Sequence, residues 1–233
     1  MTTQTHAPNC TCARRGFLSA LGFAGVALSA PGVLAAQDAS TLRFPDTPAA
    51  GAAELYLYAI SSPVMVRHCK RTYLFGKALA DKAGAKPDLE ALYVGCLFHD
   101  LGLEPLFAGP DDFETIGAHE AARFLNAKGY DPLARLVSAA IEIHTSVETA
   151  KDPRPEVAFL NMGAFVDVMG MRIDQLEPRL IQQIVAEYPR DGTKALLSAL
   201  LKHEIDTKPK SRFGQLATRF DVLKFIADAP FAS

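Results

Sequence analysis

From Ala49 onward apolar residues recur at three- and four-residue spacing nearly everywhere, and no run with turn signals alternates at the period of two that a half-buried strand needs. That regularity restricts the chain to helices packed on helices. The punctuation agrees with it. Ser62-Pro63 supplies a capping hydroxyl and then a proline at the first helical position. Val64, Phe75, Ala78 and Leu79 follow at helical spacing, with His68 on the same face, until Gly84. Asp88 opens a second helix through Leu92, Val94 and Leu97, ended by Leu101-Gly102. The Pro-, Gly- and Asp-rich stretch that runs to Asp112 reads as a loop. Helices are further expected over roughly Thr115 to Lys128, from Asp131-Pro132 to about His144, and over Glu156 to Met169 before Gly170. Two or three amphipathic helices follow, near residues 178–187, 193–206 and 212–228. The predicted fold class is all-α, a bundle of about seven or eight helices without internal repeats. The C-terminal helices carry Leu196, Leu197, Leu200 and Leu201 without a polar cluster and read as scaffold.

The first 36 residues read as an address. Arg14-Arg15-Gly16-Phe17-Leu18 has the RR-x-F-L form of a twin-arginine export signal. The apolar stretch from Phe17 to about Ala30 falls short of the roughly 20 residues of a membrane span. Val33-Leu34-Ala35-Ala36 then offers small residues suited to signal cleavage. The expected organisation is a signal over residues 1–36, a polar linker over 37–48 and a folded domain over 49–233. The mature protein is expected in the periplasm or outside the cell, with no stable membrane association. This export route carries folded proteins, often with a cofactor in place, which suits a metalloprotein. Cys10 and Cys12 leave with the signal; Cys69 and Cys96 remain, as one disulfide or as two buried thiols. A formal net charge of −2, with no long basic run, provides no field for a nucleic acid backbone. The expected partner is a small molecule.

His68, His99-Asp100 and Asp167 stand out against this apolar background. They lie on or at the ends of three predicted helices whose inner faces are otherwise hydrophobic. Asp167 sits between Ala164-Phe165-Val166 and Val168-Met169, and His99-Asp100 follows Val94-Gly95-Cys96-Leu97-Phe98. An isolated carboxylate is costly to bury unless it is paired or coordinated. A divalent metal accounts for the set, since imidazoles and carboxylates converging between helices suit zinc, iron or manganese. Neighbouring side chains on a straight helix point about 100° apart. His99 and Asp100 can therefore share one ion only where their helix ends, and Gly102 marks such an end.

Over residues 68–170 the chain resembles the HD-domain superfamily of metal-dependent hydrolases, and within it the cyanamide-hydratase-type branch. The resemblance rests on His68-Cys69-Lys70-Arg71-Thr72-Tyr73, Leu97-Phe98-His99-Asp100-Leu101-Gly102 and Phe113-Glu114-Thr115-Ile116-Gly117-Ala118. It continues in Ala140-Ile141-Glu142-Ile143-His144-Thr145-Ser146 and Asp167-Val168-Met169-Gly170. It implies an HD-domain helical bundle in which His68, His99, Asp100 and Asp167 ligate the metal, zinc or iron foremost and manganese as a further candidate. It also places His144 and Thr145 beside the substrate, with His144 donating or accepting protons. Water activated at the metal would add to the nitrile carbon of cyanamide and give urea. His119 opens an alternative, because the order His68, His99-Asp100, His119, His144, Asp167 also resembles the two-metal HD phosphohydrolases, which act on nucleotides or other phosphate esters. Against that alternative, only Lys70 and Arg71 lie close in sequence to a ligand, and the loop from Leu103 to Asp112 has no basic residue. Arg71 is left between a role at the site and an ordinary surface ion pair.

Overall fold

In a computed structural model of the protein, residues 42–231 are described. The export signal, its cleavage region, Cys10, Cys12 and the start of the linker lie outside the described residues. The described residues form ten α-helices and no strand: α1 (Pro48–Ile60), α2 (Pro63–Ala83), α3 (Leu89–Phe98), α4 (Phe113–Asn126), α5 (Asp131–Glu142), α6 (Pro155–Met169), α7 (Pro178–Glu187), α8 (Thr193–Thr207), α9 (Arg212–Arg219) and α10 (Val222–Asp228). Among them, no helix is long and apolar enough to cross a membrane.

The local chemistry that predicts these boundaries also sets them. Ser62 Oγ accepts from Met65 N at 3.2 Å to open α2, and Asp88 Oδ1 accepts from Ala91 N at 3.1 Å to open α3. Gly84 and Gly170 close α2 and α6 at φ 67° and 73°, left-handed values that a residue without Cβ adopts freely. Two details differ from expectation. A helix precedes α2, because Thr47 Oγ1 accepts from Ala50 N at 3.2 Å and Pro48 fits the first turn. Pro48 therefore belongs to α1 rather than to the linker. The stretch 212–228 is two helices, because Phe220 turns extended at φ −131° and Asp221 recaps the chain on Lys224 N at 3.1 Å.

The centre of the bundle is the pair α2 and α6, both of which also pack on α3. Their backbones approach through glycine. A Cβ at Gly163 would stand 2.2 Å from the Thr72 carbonyl oxygen, and one at Gly76 would stand 2.4 Å from that of Phe159. Only hydrogen fits at either position. The crossing lays the first half of α2, with His68 and Arg71, against the last turn of α6, with Asp167. Around it Tyr73, Phe75, Leu92, Leu97, Phe98 and Leu160 are fully enclosed. Burying each such side chain is worth roughly 1.5–3 kcal/mol. Cys69 and Cys96 are both buried free thiols, so no disulfide joins them.

Replacing Gly163 by Ala should lower stability by about 1–3 kcal/mol, because the methyl group must push α2 away from α6. Gly51, exposed on α1 with nothing within 4 Å of a built Cβ, is the control. There Ala should raise stability by about 0.5–1 kcal/mol through helix propensity. Thermal denaturation of both variants checks the pair of signs.

Candidate metal centre

Four elements deliver the polar side chains of the centre. α2 brings His68 and Arg71, the end of α3 brings His99 and Asp100, the turn after α5 brings His144 and Thr145, and α6 brings Asp167. As the sequence requires, α3 stops at Phe98: His99 holds the last helical position and Asp100 leaves the helix at φ −105°, ψ 13°. The two neighbouring side chains thereby reach the same point. His68 Nε2 lies 3.2 Å from His99 Nε2, and Asp100 Oδ2 lies 3.3 Å from both. His144 Nε2 stands 3.7 Å from Asp100 Oδ1. All of these residues are buried.

The far nitrogen of each imidazole is held by an acceptor. His99 Nδ1 donates to the Cys96 carbonyl at 2.8 Å, His144 Nδ1 to the Ile141 carbonyl at 2.7 Å, and His68 Nδ1 to Asp167 Oδ2 at 2.7 Å. With the proton on Nδ1, the Nε2 lone pair of each ring faces the shared space. Two lone pairs and a carboxylate at this separation repel unless a cation or protons lie among them. The field has that sense: burial opposes charge on His99, but Asp100 more than offsets it and pushes the pKa up to about 10. His68 moves in the same direction, since Asp100 and Asp167 outweigh its burial. Burial likewise opposes ionisation of Asp100, yet His99, His144 and His68 hold its carboxyl well below the usual range. His68, His99 and Asp100 form a donor set whose atoms lie within 4.8 Å of one another, which suits a divalent ion such as zinc or iron.

Asp167 is placed differently from the sequence expectation. Its carboxylate does not join that donor set; it stands behind His68. Arg71 grips it with two hydrogen bonds, Nε to Oδ1 at 2.8 Å and Nη2 to Oδ2 at 3.0 Å, and Arg190 donates to Oδ1 as well. Every lone pair facing a donor is thus in use. Burial would raise the pKa of Asp167, but Arg71, His68 and Arg190 drive it far below the ordinary carboxylate range. Arg71 is no surface residue: it is fully enclosed and also donates to the Tyr188 and Pro189 carbonyls and to Thr193. His119 corrects the sequence reading more sharply. Glu114, Gly117, Ala118 and Ala121 form the buried face of α4, and His119 lies on the exposed one, away from the other histidines. The two-metal reading drew on His119, whose side chain lies on the exposed face of α4.

Three further residues shape the site. Thr145 Oγ1 donates to the buried carboxylate of Glu114. Asn161 Nδ2 ties the His144 carbonyl at 2.6 Å to that of Ser146 at 3.1 Å, fixing the turn that presents His144 and Thr145. Arg190 comes from the α7–α8 connection, a region with no visible pattern. Leu197, Leu201, Phe213 and Val222 line the cavity over the histidines, so the C-terminal helices form one of its walls as well as scaffold.

The family described as HD domain matches residues 65–224 of the chain, well over half of its length. No curated protein matches it.

Two outcomes follow for this centre. Asp100→Asn should lose most bound zinc, Asp167→Asn should weaken it about 10–100-fold by loosening His68, and His119→Ala should leave it unchanged, as read by metal analysis and competition with a chelator. Arg71→Met should cost about 3–5 kcal/mol at neutral pH by leaving Asp167 under-compensated. Because the folded pKa of Asp167 is depressed, its stabilisation is complete above an unfolded value of about 3.9 and fades as pH falls below it. Urea midpoints of wild type and variant should therefore draw closer, without meeting, on going from neutral pH to about pH 3.

Proposed function

Since the chain belongs to the HD-domain family, whose members are metal-dependent hydrolases, we propose that it adds water to a compact electrophilic group of the nitrile type, as in the conversion of cyanamide to urea. The observation that carries this reading is the chamber in front of His68, His99, Asp100 and His144. Its volume is about 40 Å³, room for roughly three waters, which suits a compact reacting group. Among the described residues that line it there is no Lys or Arg.

A divalent ion held by His68, His99 and Asp100 would lower the pKa of a water towards about 7 and polarise the substrate. The chain's own groups do the rest. His144, its Nδ1–H held by the Ile141 carbonyl, presents Nε2 to take a proton from the attacking water and return it to the nitrile nitrogen. Thr145, pinned by Glu114, sets the wall beside it. Phe113, Ala164 and Phe165 keep bulk water from the reacting atoms. Asp167 holds His68 in the tautomer that leaves Nε2 free.

Hydrolysis of a phosphate ester is the second reading, supported by the family alone. Phosphoryl transfer relies on cations around the transferred group, and the bases of α2 and Arg190 are occupied, Arg190 by Asp167. Lys70 Nζ pairs with Glu54 at 2.5 Å, and Arg71 is spent on Asp167. The Arg14-Arg15 motif supports a place of action in the periplasm or beyond the cell.

The test is urea release from cyanamide by protein loaded separately with zinc, iron and manganese. Urea should form with at least one metal and fall at least about a hundredfold in both Asp100→Asn and His144→Ala. Bound metal without urea, together with release of phosphate from an ester, would transfer the activity to the second reading.

A further inference from the structure

Arg172 is the one described residue other than glycine with positive φ, at 65°. A side chain held in left-handed backbone is uncommon, and such positions concentrate at ligand sites. It follows α6 directly, two residues beyond Gly170. Its guanidinium Nη1 is enclosed and has no acceptor. A buried cationic N–H left unpaired is among the costlier defects a fold can retain.

Arg172 lines a groove of about 250 Å³ whose other described walls are all apolar, among them Val147, Met171, Phe220 and Phe225. Those four are half of the eight large hydrophobic side chains that the described residues expose, so the apolar surface gathers here rather than scattering. The groove also adjoins the chamber in front of the histidines. Phe165, Met169 and Val222 line both, and Val147 begins the turn that follows His144-Thr145-Ser146.

We infer that this groove binds the non-reacting part of the substrate, a short apolar body ending in a monovalent anion such as a carboxylate, with Arg172 as the residue that recognises the charge. The inference rests on the proposed reaction for the identity of the reacting end, which the chamber admits only if it is small. The groove's apolar walls match the body. Arg172 is the one charged side chain among the described residues that line the groove, which suits one negative charge; a phosphate dianion would call for more donors. With about 250 Å³ the groove falls just under the roughly 300–1,000 Å³ of drug-sized ligand sites, which limits the body to a short chain or a single ring.

Hexanoate and hexanamide, alike in body and different in charge, separate the two elements of recognition. Ligand-observed NMR titration of the zinc-loaded protein should show hexanoate binding at least about tenfold more tightly than hexanamide. Arg172→Asn, which tolerates the left-handed backbone and removes the charge, should bring hexanoate down to the level of the amide. Arg172→Lys should restore part of the difference. Phe225→Ala should weaken both ligands together. Asp100→Asn, stripped of metal, should bind hexanoate within about twofold of wild type, because the groove does not use the ion. Equal binding of acid and amide, hexanoate binding that survives Arg172→Asn, or binding that vanishes with the metal would each overturn the assignment. The proposed reaction fails separately, by the absence of urea from a protein that still binds hexanoate through Arg172.

Discussion

A carboxylate with no solvent access sits at the crossing of α2 and α6, and two arginines and a histidine converge on it. Removed from water alone, Asp167 would be neutral or the fold would fail; surrounded as it is, its charge fixes the charges and directions around it. Arg71 spans from α2 to α6 and on to the α7–α8 connection, tying three parts of the bundle to one point. The same carboxylate holds the Nδ1 proton of His68, so the orientation of a candidate ligand is decided one layer behind the metal centre. The glycines at 76 and 163 make this possible, since a thicker contact would separate the partners beyond hydrogen-bond reach.

The centre is stiff by construction. Two of its imidazoles are anchored to main-chain carbonyls three residues earlier, and Asn161 bridges two carbonyls of the turn bearing His144 and Thr145. Backbone anchors of this kind leave the donor atoms little freedom. Preorganised donors around a small volume favour a compact ion and a compact reacting group. The groove beyond has a different character, open and apolar, with one orphaned cation. On the proposed reading, chemistry would be confined to the chamber around the histidines and recognition to the adjoining apolar groove.

Much of this was legible in the chain itself, for identifiable reasons. Helix ends at Ser62-Pro63, Gly84, Asp88 and Gly170 follow from local steric and hydrogen-bonding rules that act within four residues. His68, His99 and Asp100 were conspicuous because polar groups on apolar faces need a partner. What local rules do not carry is which partner. Asp167 was equally conspicuous, yet its neighbours depend on Arg190, distant in sequence and placed by a loop without periodicity. His119 sits only two residues from Gly117 in a stretch that matches the rest of the site, and the helical period alone turns it outward. The division of 212–228 hinged on one extended residue, Phe220, which composition does not single out.

The contribution of Arg190 gives the centre a history as well as a geometry. Synthesis proceeds from the N-terminus, so His68, His99, Asp100, His144 and Asp167 are all joined to the chain before Arg190 is. A chain that ended near Gly170 would carry every imidazole of the cavity and an acid whose counter-charge is incomplete. In such a chain the acid behind His68 lacks one of its cations, and the wall formed by Leu197, Leu201 and Val222 is missing. Closure of the centre is therefore a late event in the life of each molecule, set by the last quarter of the chain. A shortened protein retaining all the polar residues of the cavity would still be unfinished.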